Sequence, residues 1–260
     1  MYAGEAVTVL KRCLDAVMDW MRVNKLRLNP DKTEVLLVGG SSAWVNDVQP
    51  VLDGVARPLK DQVHILGVLL DPAPSLEVQV ASMAQSAFYQ LRLICQLQPY
   101  LERESLATVT HALVTSCLDY CNALYMGLPL KIVRKLQLVQ NRAARLLTGT
   151  GRFDHIMPML NQLHWLPIHF WTQFKVLVLT FKALKALDAP YVPTHTLRSS
   201  SEALLQVSLP NEMRRVAIRE RAFSVVAPCL YNSLPSEVCL APSLCSFRHQ
   251  VKTFLFTQAF

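Results

Sequence analysis

The stretch LKIVRKLQLVQNRAARLL, Leu130–Leu147, decides the fold class. At about 100° per residue, Ile132, Leu136, Val139, Ala143, Leu146 and Leu147 fall on one face of a helix. Lys131, Arg134, Lys135, Arg142 and Arg145 fall within roughly a 100° arc on a different face. The segment is rich in strong helix formers and contains neither Gly nor Pro. No acidic residue occurs between Lys131 and Phe153, and Arg152 extends the basic run. A helix that buries one face and charges the other belongs in a helical bundle; the charged face reads either as a contact for a phosphate backbone or as an ordinary solvated helix face.

On either side of this helix the same period continues. Helices are expected at about Ser75–Leu97, Glu102–Met126, Leu130–Leu147 and Pro167–Leu187. Ser75, followed by Glu77 and Val78, fits an N-cap. Pro190 and Pro193 break the pattern, and the serine-rich stretch Thr194–Gln206 reads as a linker or flexible arm. A last helical block covers Arg219–Ser233 and Leu244–Phe256. Towards the start, Ala6–Asn24 carries Val9, Leu10, Cys13, Val17, Trp20 and Met21 at helical spacing. Asn29, Pro30 and Asp31 form a turn. Glu34–Val38 and Val63–Leu70 are β-prone runs, expected as a small antiparallel sheet with or without Val51–Val55 between them. The expected fold is therefore mainly α, with a small β element near the N-terminus. Three regions follow: 1–74, mixed; 75–190, helical; and 191–260, a linker followed by a C-terminal helical region.

Composition narrows the class. Hydrophobic residues make up 52% of the 260 positions and charged residues 17%, which excludes a disordered chain. The formal net charge of +7 fits either a nucleic-acid partner or an ordinary basic protein. Seven cysteines, an odd number with no leader-like apolar start, point to reduced thiols and an intracellular setting, in cytoplasm or nucleus. Ser105–Leu130 carries a single charge, Asp119, but also His111, Asn122, Gly127 and Pro129. A buried helix accounts for it better than a membrane span, so no membrane partner is expected.

Several residues invite chemistry and also have plainer readings. Cys117 and Cys121 with His111, and Cys239 and Cys245 with His249, are possible metal ligands by type. Zinc sites draw together tight Cys turns and four converging ligands, whereas these lie on apolar helices, so no metal and no cofactor is expected. Trp165 and Trp171 bracket Pro167; they read as base-stacking platforms or as a staple between helices, among Leu163, Leu166 and Ile168. His111, near Thr110 and Thr115, reads as a core histidine more readily than as a catalyst.

Taken in order, longer stretches resemble one family. They are NKLRLNPDKTEVLLVG (Asn24–Gly39), HILGVLLD (His64–Asp71), SCLDYCNALYMGLP (Ser116–Pro129), KLQLVQNRAARLLTGT (Lys135–Thr150), LHWLPI (Leu163–Ile168), LVLTFKAL (Leu177–Leu184), LRSSS (Leu197–Ser201), RAFSVVAPCLYNSLP (Arg221–Pro235) and APSLCSFRHQVKTFLF (Ala241–Phe256). The series resembles the reverse transcriptase of LINE-type non-LTR retrotransposons, in the group that includes jockey and the chicken-repeat elements. The resemblance implies that 1–74 corresponds to a residual polymerase palm. Asn29 and Lys32 would lie in its motif D, and Leu66 and Gly67 in motif E, the primer grip. It implies that 75–190 corresponds to the helical thumb-like bundle. The chain departs from the family pattern at Arg219 and Tyr231, where Gly and Trp are usual, and in the short segment between Tyr191 and Leu197.

The family's Tyr-Ala-Asp-Asp turn would precede the first helix. Here Tyr2-Ala3 is followed by Gly4 and Glu5, and no Asp-Asp pair occurs in the sequence. Phosphoryl transfer of this kind needs carboxylates holding two metal ions about 3.5–4 Å apart. The resemblance therefore implies a truncated, catalytically inactive reverse-transcriptase-like protein. Lys32, a proton donor to pyrophosphate in an intact polymerase, is then a solvated turn lysine. RNA or an RNA–DNA hybrid is the expected partner, held weakly and without sequence preference through Lys131, Arg134, Lys135, Arg142, Arg145 and Arg152. The alternatives are an interaction scaffold, self-association through exposed apolar surface, or a translated fragment with no selected role.

Overall fold

The computed structural model describes residues 3–38, 51–52, 55–56, 59–185, 205, 207 and 221–260. Within them the protein is mainly helical. It divides into two compact units, Met1–Gln79 and Val80–Phe260.

The first unit opens with α1, Ala3–Val23. A turn of 3₁₀ helix follows at Pro30–Lys32, closed by the Asn29 side chain, whose Oδ1 accepts from Asp31 N at 3.0 Å. Four short strands come next: β1 (Val51–Leu52), β2 (Val55–Ala56), β3 (Val63–Ile65) and β4 (Val68–Leu70). They form two separate antiparallel ribbons, β1 with β2 and β3 with β4.

This differs from the sheet expected from sequence. Glu34–Val38 is not a strand; it contributes one isolated parallel bridge, Val35 to Leu59. Lys60 N donates to Val35 O at 2.9 Å, and among the described residues nothing extends the ladder. Nor is Val63–Leu70 one strand. Leu66 and Gly67 both take positive φ, 49° and 78°, which is what a type I′ hairpin turn requires. The run folds back on itself, with Val63 and Val68 as its buried residues. Asp71 then organises the start of the next helix, its carboxylate accepting from Ser75 N at 2.7 Å.

That helix, α2, spans Glu77–Leu97. Ser75 is the expected cap, displaced by one position: its hydroxyl accepts from Glu77 N at 3.2 Å, across Leu76 with φ 54°. In the second unit α2 buries Val80, Ala84, Ala87, Leu91 and Ile94 at helical spacing. The expected continuous helix Glu102–Met126 is broken instead. It runs as α3 (Arg103–Thr110), a π-helical turn (His111–Thr115), α4 (Ser116–Asp119) and a 3₁₀ turn (Asn122–Tyr125). Cys121 at the break is left-handed, φ 55°. Neither Gly nor Pro marks the place. Asp119 pairs with Lys175 at 2.6 Å, and buried Tyr125 follows it. The break thus coincides with tertiary partners and with no local helix breaker.

Helix α5, Leu130–Thr148, agrees with the expected boundaries. It ends at Gly149, φ 69°, whose N–H donates to Arg145 O at 2.9 Å. The left-handed cap explains why glycine stands there. A short helix not foreseen, α6 (Ile156–Gln162), closes in a Schellman motif: Trp165 N donates to Leu160 O and His164 N to Asn161 O, both at 2.9 Å. The residue at its left-handed position is His164, φ 53°, where glycine is usual.

The remaining helices among the described residues are α7 (Ile168–Lys185), α8 (Phe223–Asn232), α9 (Ser236–Cys239) and α10 (Leu244–Ala259). They share one core of Leu166, Leu177, Phe181, Tyr231, Phe247 and Val251, with Phe181 and Phe247 stacked 4.2 Å apart. The described helices of the expected third region thus belong to the second unit. Most of the expected linker Thr194–Gln206 lies outside the described residues. Its Leu205 is buried in this core, clamped by Asn232, whose side chain accepts from Leu205 N and donates to Leu205 O, each at 2.8 Å. No helix among the described residues is long and apolar enough to cross a membrane.

Candidate nucleic-acid interface

Helix α5 carries both halves of the site's construction. Ile132, Val133, Leu136, Val139, Ala143, Ala144, Leu146 and Leu147 are buried. Burying that face at roughly 25 cal/mol per Å² anchors the helix and leaves the opposite face to solvent. Lys131, Arg134 and Arg142 are exposed, and Lys135 and Arg145 are half-buried.

The basic residues are not equivalent. Arg145 turns back onto the loop after the helix, donating from Nε to Gly151 O at 3.2 Å and from Nη2 to Asp154 O at 3.1 Å. Asp154 closes the same loop by accepting from Gly151 N at 2.7 Å. Arg145 therefore shapes the loop rather than offering a free guanidinium. Arg142 reaches Cys95 Sγ on α2 at 3.9 Å, a weak contact, and forms no ion pair among the described residues. Lys131 and Arg134 form no ion pair among the described residues. They stand in the first turns of a 19-residue helix with no acidic residue and no side-chain cap at its start. The helix dipole adds positive potential at that end.

The loop fixed by Arg145 displays Arg152 and Phe153. The Arg152 guanidinium lies 5.9 Å from the Phe153 ring centre, and Phe153 is 94% exposed. A lone exposed aromatic beside an arginine suits stacking on an unpaired base. Sequence reading passed over Phe153, because no periodicity marks a loop residue. The signal available was its place directly after the basic run.

The other singled-out residues scatter. Asn29 makes the turn described above, and Lys32 is exposed beside it. Leu66, 85% exposed, and Gly67 are the tip of the β3–β4 hairpin. Cys117 donates to Leu113 O at 3.2 Å as an ordinary helix thiol, and all seven cysteines are free. Among the described residues no three His, Cys, Asp or Glu side chains gather as a metal site. Cys239 is buried and bonded to Tyr231 in both directions: Tyr231 Oη donates to Cys239 O at 3.1 Å, and Cys239 Sγ donates to Tyr231 O at 3.6 Å. Burial pushes both their pKa values up.

Trp165 and Trp171 line one pocket. With Phe174 they wall a pocket of about 230 Å³. Its floor is Gln140 and Leu166, both buried. Gln140 is held on both sides, donating to Leu166 O at 2.9 Å and accepting from Gln137 Nε2 at 2.8 Å. Gln137 Oε1 in turn accepts from Ile168 N at 2.9 Å, satisfying a free donor at the start of α7. His111 is not the core histidine expected from sequence: it is exposed, with its ring packed edge-on against Trp165 at 5.5 Å.

Comparison of the chain with protein-family models, with curated proteins and with solved structures finds no match in any of the three.

Proposed function

We propose that this protein is a reverse-transcriptase-like helical domain of retrotransposon origin that binds the sugar-phosphate backbone of RNA or an RNA–DNA hybrid along α5 and extends no primer by itself. The observation that carries the reading is the solvent-facing basic edge of α5, Lys131 and Arg134 above all, set against a fully buried apolar face. Arg142 is exposed on the same arc of the helix, Arg152 follows in the loop that Arg145 braces, and Phe153 adds a surface for a base. The ordered motifs that resemble non-LTR reverse transcriptases supply the origin. The lack of an Asp-Asp pair supplies the absence of polymerase chemistry. Free thiols throughout suit a reducing, intracellular setting.

Backbone contacts release counterions, so the affinity for a hybrid duplex falls linearly with log salt. Replacing Lys131, Arg134 and Arg152 with Glu weakens binding on every sequence alike and flattens the slope by about 0.9 per lost contact. These three avoid Arg145, whose loss would unmake the loop. Hybrid affinity unchanged in the triple variant would overturn the assignment. So would template-dependent extension by the wild-type chain, for its catalytic part.

A second reading rests on α1. Val9, Val17, Trp20 and Val23 are exposed, and Trp20 is 61% open to solvent. Such an apolar edge suits self-association or a protein partner. Sedimentation of the wild type beside Trp20→Glu tests it: concentration-dependent dimerisation abolished by the substitution supports this reading, and a wild type that stays monomeric removes it.

A further inference from the structure

The pocket walled by Trp165, Trp171 and Phe174 is graded from floor to rim. Its floor is buried, its three aromatic walls are half-buried, and its rim carries exposed His164, Arg248 and Lys252. Arg248 and Lys252 stand one turn apart on α10, so they share one face. Neither forms an ion pair among the described residues, and α10 contains no acidic residue. Among the described residues no carboxylate lines the pocket. An aromatic cleft with two uncompensated cations at its mouth selects a flat ring system that carries negative charge.

The aromatic walls are held in place before any ligand arrives. The Schellman motif fixes Trp165 through its own N–H, and the His111 ring braces its indole. His164 keeps a left-handed backbone at the rim, with its ring 5.8 Å from Phe256 on α10. A non-glycine residue in that conformation is strained, and such strain gathers at functional sites. At about 230 Å³ the cavity lies below the roughly 300–1,000 Å³ of drug-sized sites, so it admits one ring system and leaves the rest of the ligand at the mouth.

We propose that this pocket binds a single unstacked nucleotide, its base among Trp165, Trp171 and Phe174 and its phosphate on Arg248 and Lys252. A free mononucleotide and the unpaired terminal residue of a strand present the same chemistry. The site is separate from the basic edge of α5. At about 100° per residue Gln140 lies on the side of the helix opposite to Lys131 and Arg134.

The test follows the indole N–H signals of the full chain, which has four tryptophans, by nitrogen-15 NMR. Adenosine 5′-monophosphate shifts two of them saturably and leaves Trp20 in place. It binds at least about tenfold more tightly than inorganic phosphate or adenosine alone, because each fragment loses one half of the site. A 5′-phosphorylated single-stranded oligonucleotide that competes about tenfold better than the mononucleotide identifies a strand end as the ligand; equal competition identifies the free nucleotide. Both results support the pocket. Arg248→Glu with Lys252→Glu, both on the exposed rim, weakens binding by about tenfold or more without loss of helical signal. Lys131→Glu with Arg134→Glu leaves it unchanged, whether or not hybrid binding has failed. The proposal is overturned by no saturable shift at about 1 mM nucleotide, by phosphate binding as well as the nucleotide, by indifference to the rim variant, or by sensitivity to the α5 variant.

Discussion

Helices α1 and α5 are near twins in sequence pattern and opposites in use. Both run about five turns, both carry an apolar stripe at helical spacing, and both expose a charged face. Yet α5 buries its stripe from Ile132 to Leu147, while no residue of α1 between Thr8 and Val23 is buried. Leu14, Met18 and Met21 are only half-covered. Amphipathic patterning states that a helix wants a partner face; it does not state that one is present. For α5 the faces of α6, α7 and the preceding helices supply it. The proposed functions divide on the same line: α5 offers charge on a firm base, and α1 offers an apolar edge.

The sharpest way to test this contrast is to remove one aromatic side chain from each unit. Phe247 is fully buried, stacked on Phe181 and flanked by Tyr231 at 6.2 Å. Phe247→Ala should destabilise the second unit by about 3–5 kcal/mol, read as a lowered denaturant midpoint of its unfolding transition. A loss under about 1 kcal/mol would mean that the shared core of α7, α8 and α10 is loosely packed.

Gln140→Leu comes next. It leaves Leu166 O without its donor and Gln137 without one of its partners, while the side-chain volume is nearly kept. The expected cost is about 1–3 kcal/mol by chemical denaturation, the price of a buried carbonyl left unpaired. A neutral result would show that water reaches the pocket floor and replaces the amide.

Alkaline pH separates the units in a third way. Burial, with Cys239 beside it, raises Tyr231 above its ordinary value of 10.0, and burial raises Cys239 above 9.0. The native state thus holds protons that the unfolded chain releases first. This stability is fully present below about pH 9 and falls as pH rises past the unfolded values. Melting temperature followed from pH 8 upward should drop, and Tyr231→Phe should drop less steeply. Parallel curves for the two proteins would contradict the burial account.

The smallest effect is expected at Trp20. Trp20→Ala on exposed α1 should change the stability of the monomer by no more than about 0.5 kcal/mol. A loss of 2 kcal/mol or more in dilute solution would show that α1 does have a partner face within the chain.

How far the sequence reached follows from what kind of force sets each feature. Helix α5 was legible to within a residue, because apolar spacing, helix formers and the Gly149 cap all act within one segment. The charged edge was legible for the same reason, since helical period fixes which residues share a face. The two β-prone runs were misread because strand identity depends on the partner. Val35 found one bridge, and Leu66-Gly67 turned a single run into a hairpin, although Gly67 was there to signal it. The break at Cys121 carried no local Gly or Pro as a mark; it coincides with partners distant in sequence, Lys175 on Asp119 and the buried Tyr125. The same holds at the sites. Sequence placed Arg145 in the charged edge, but only the loop's carbonyls turn it into a brace. Sequence saw Trp165 and Trp171 as neighbours of a proline. Only the return of α10, some eighty residues later, sets Arg248 and Lys252 at their mouth. Period and capping are properties of a segment; a cavity is a property of surfaces that meet, and no segment contains it.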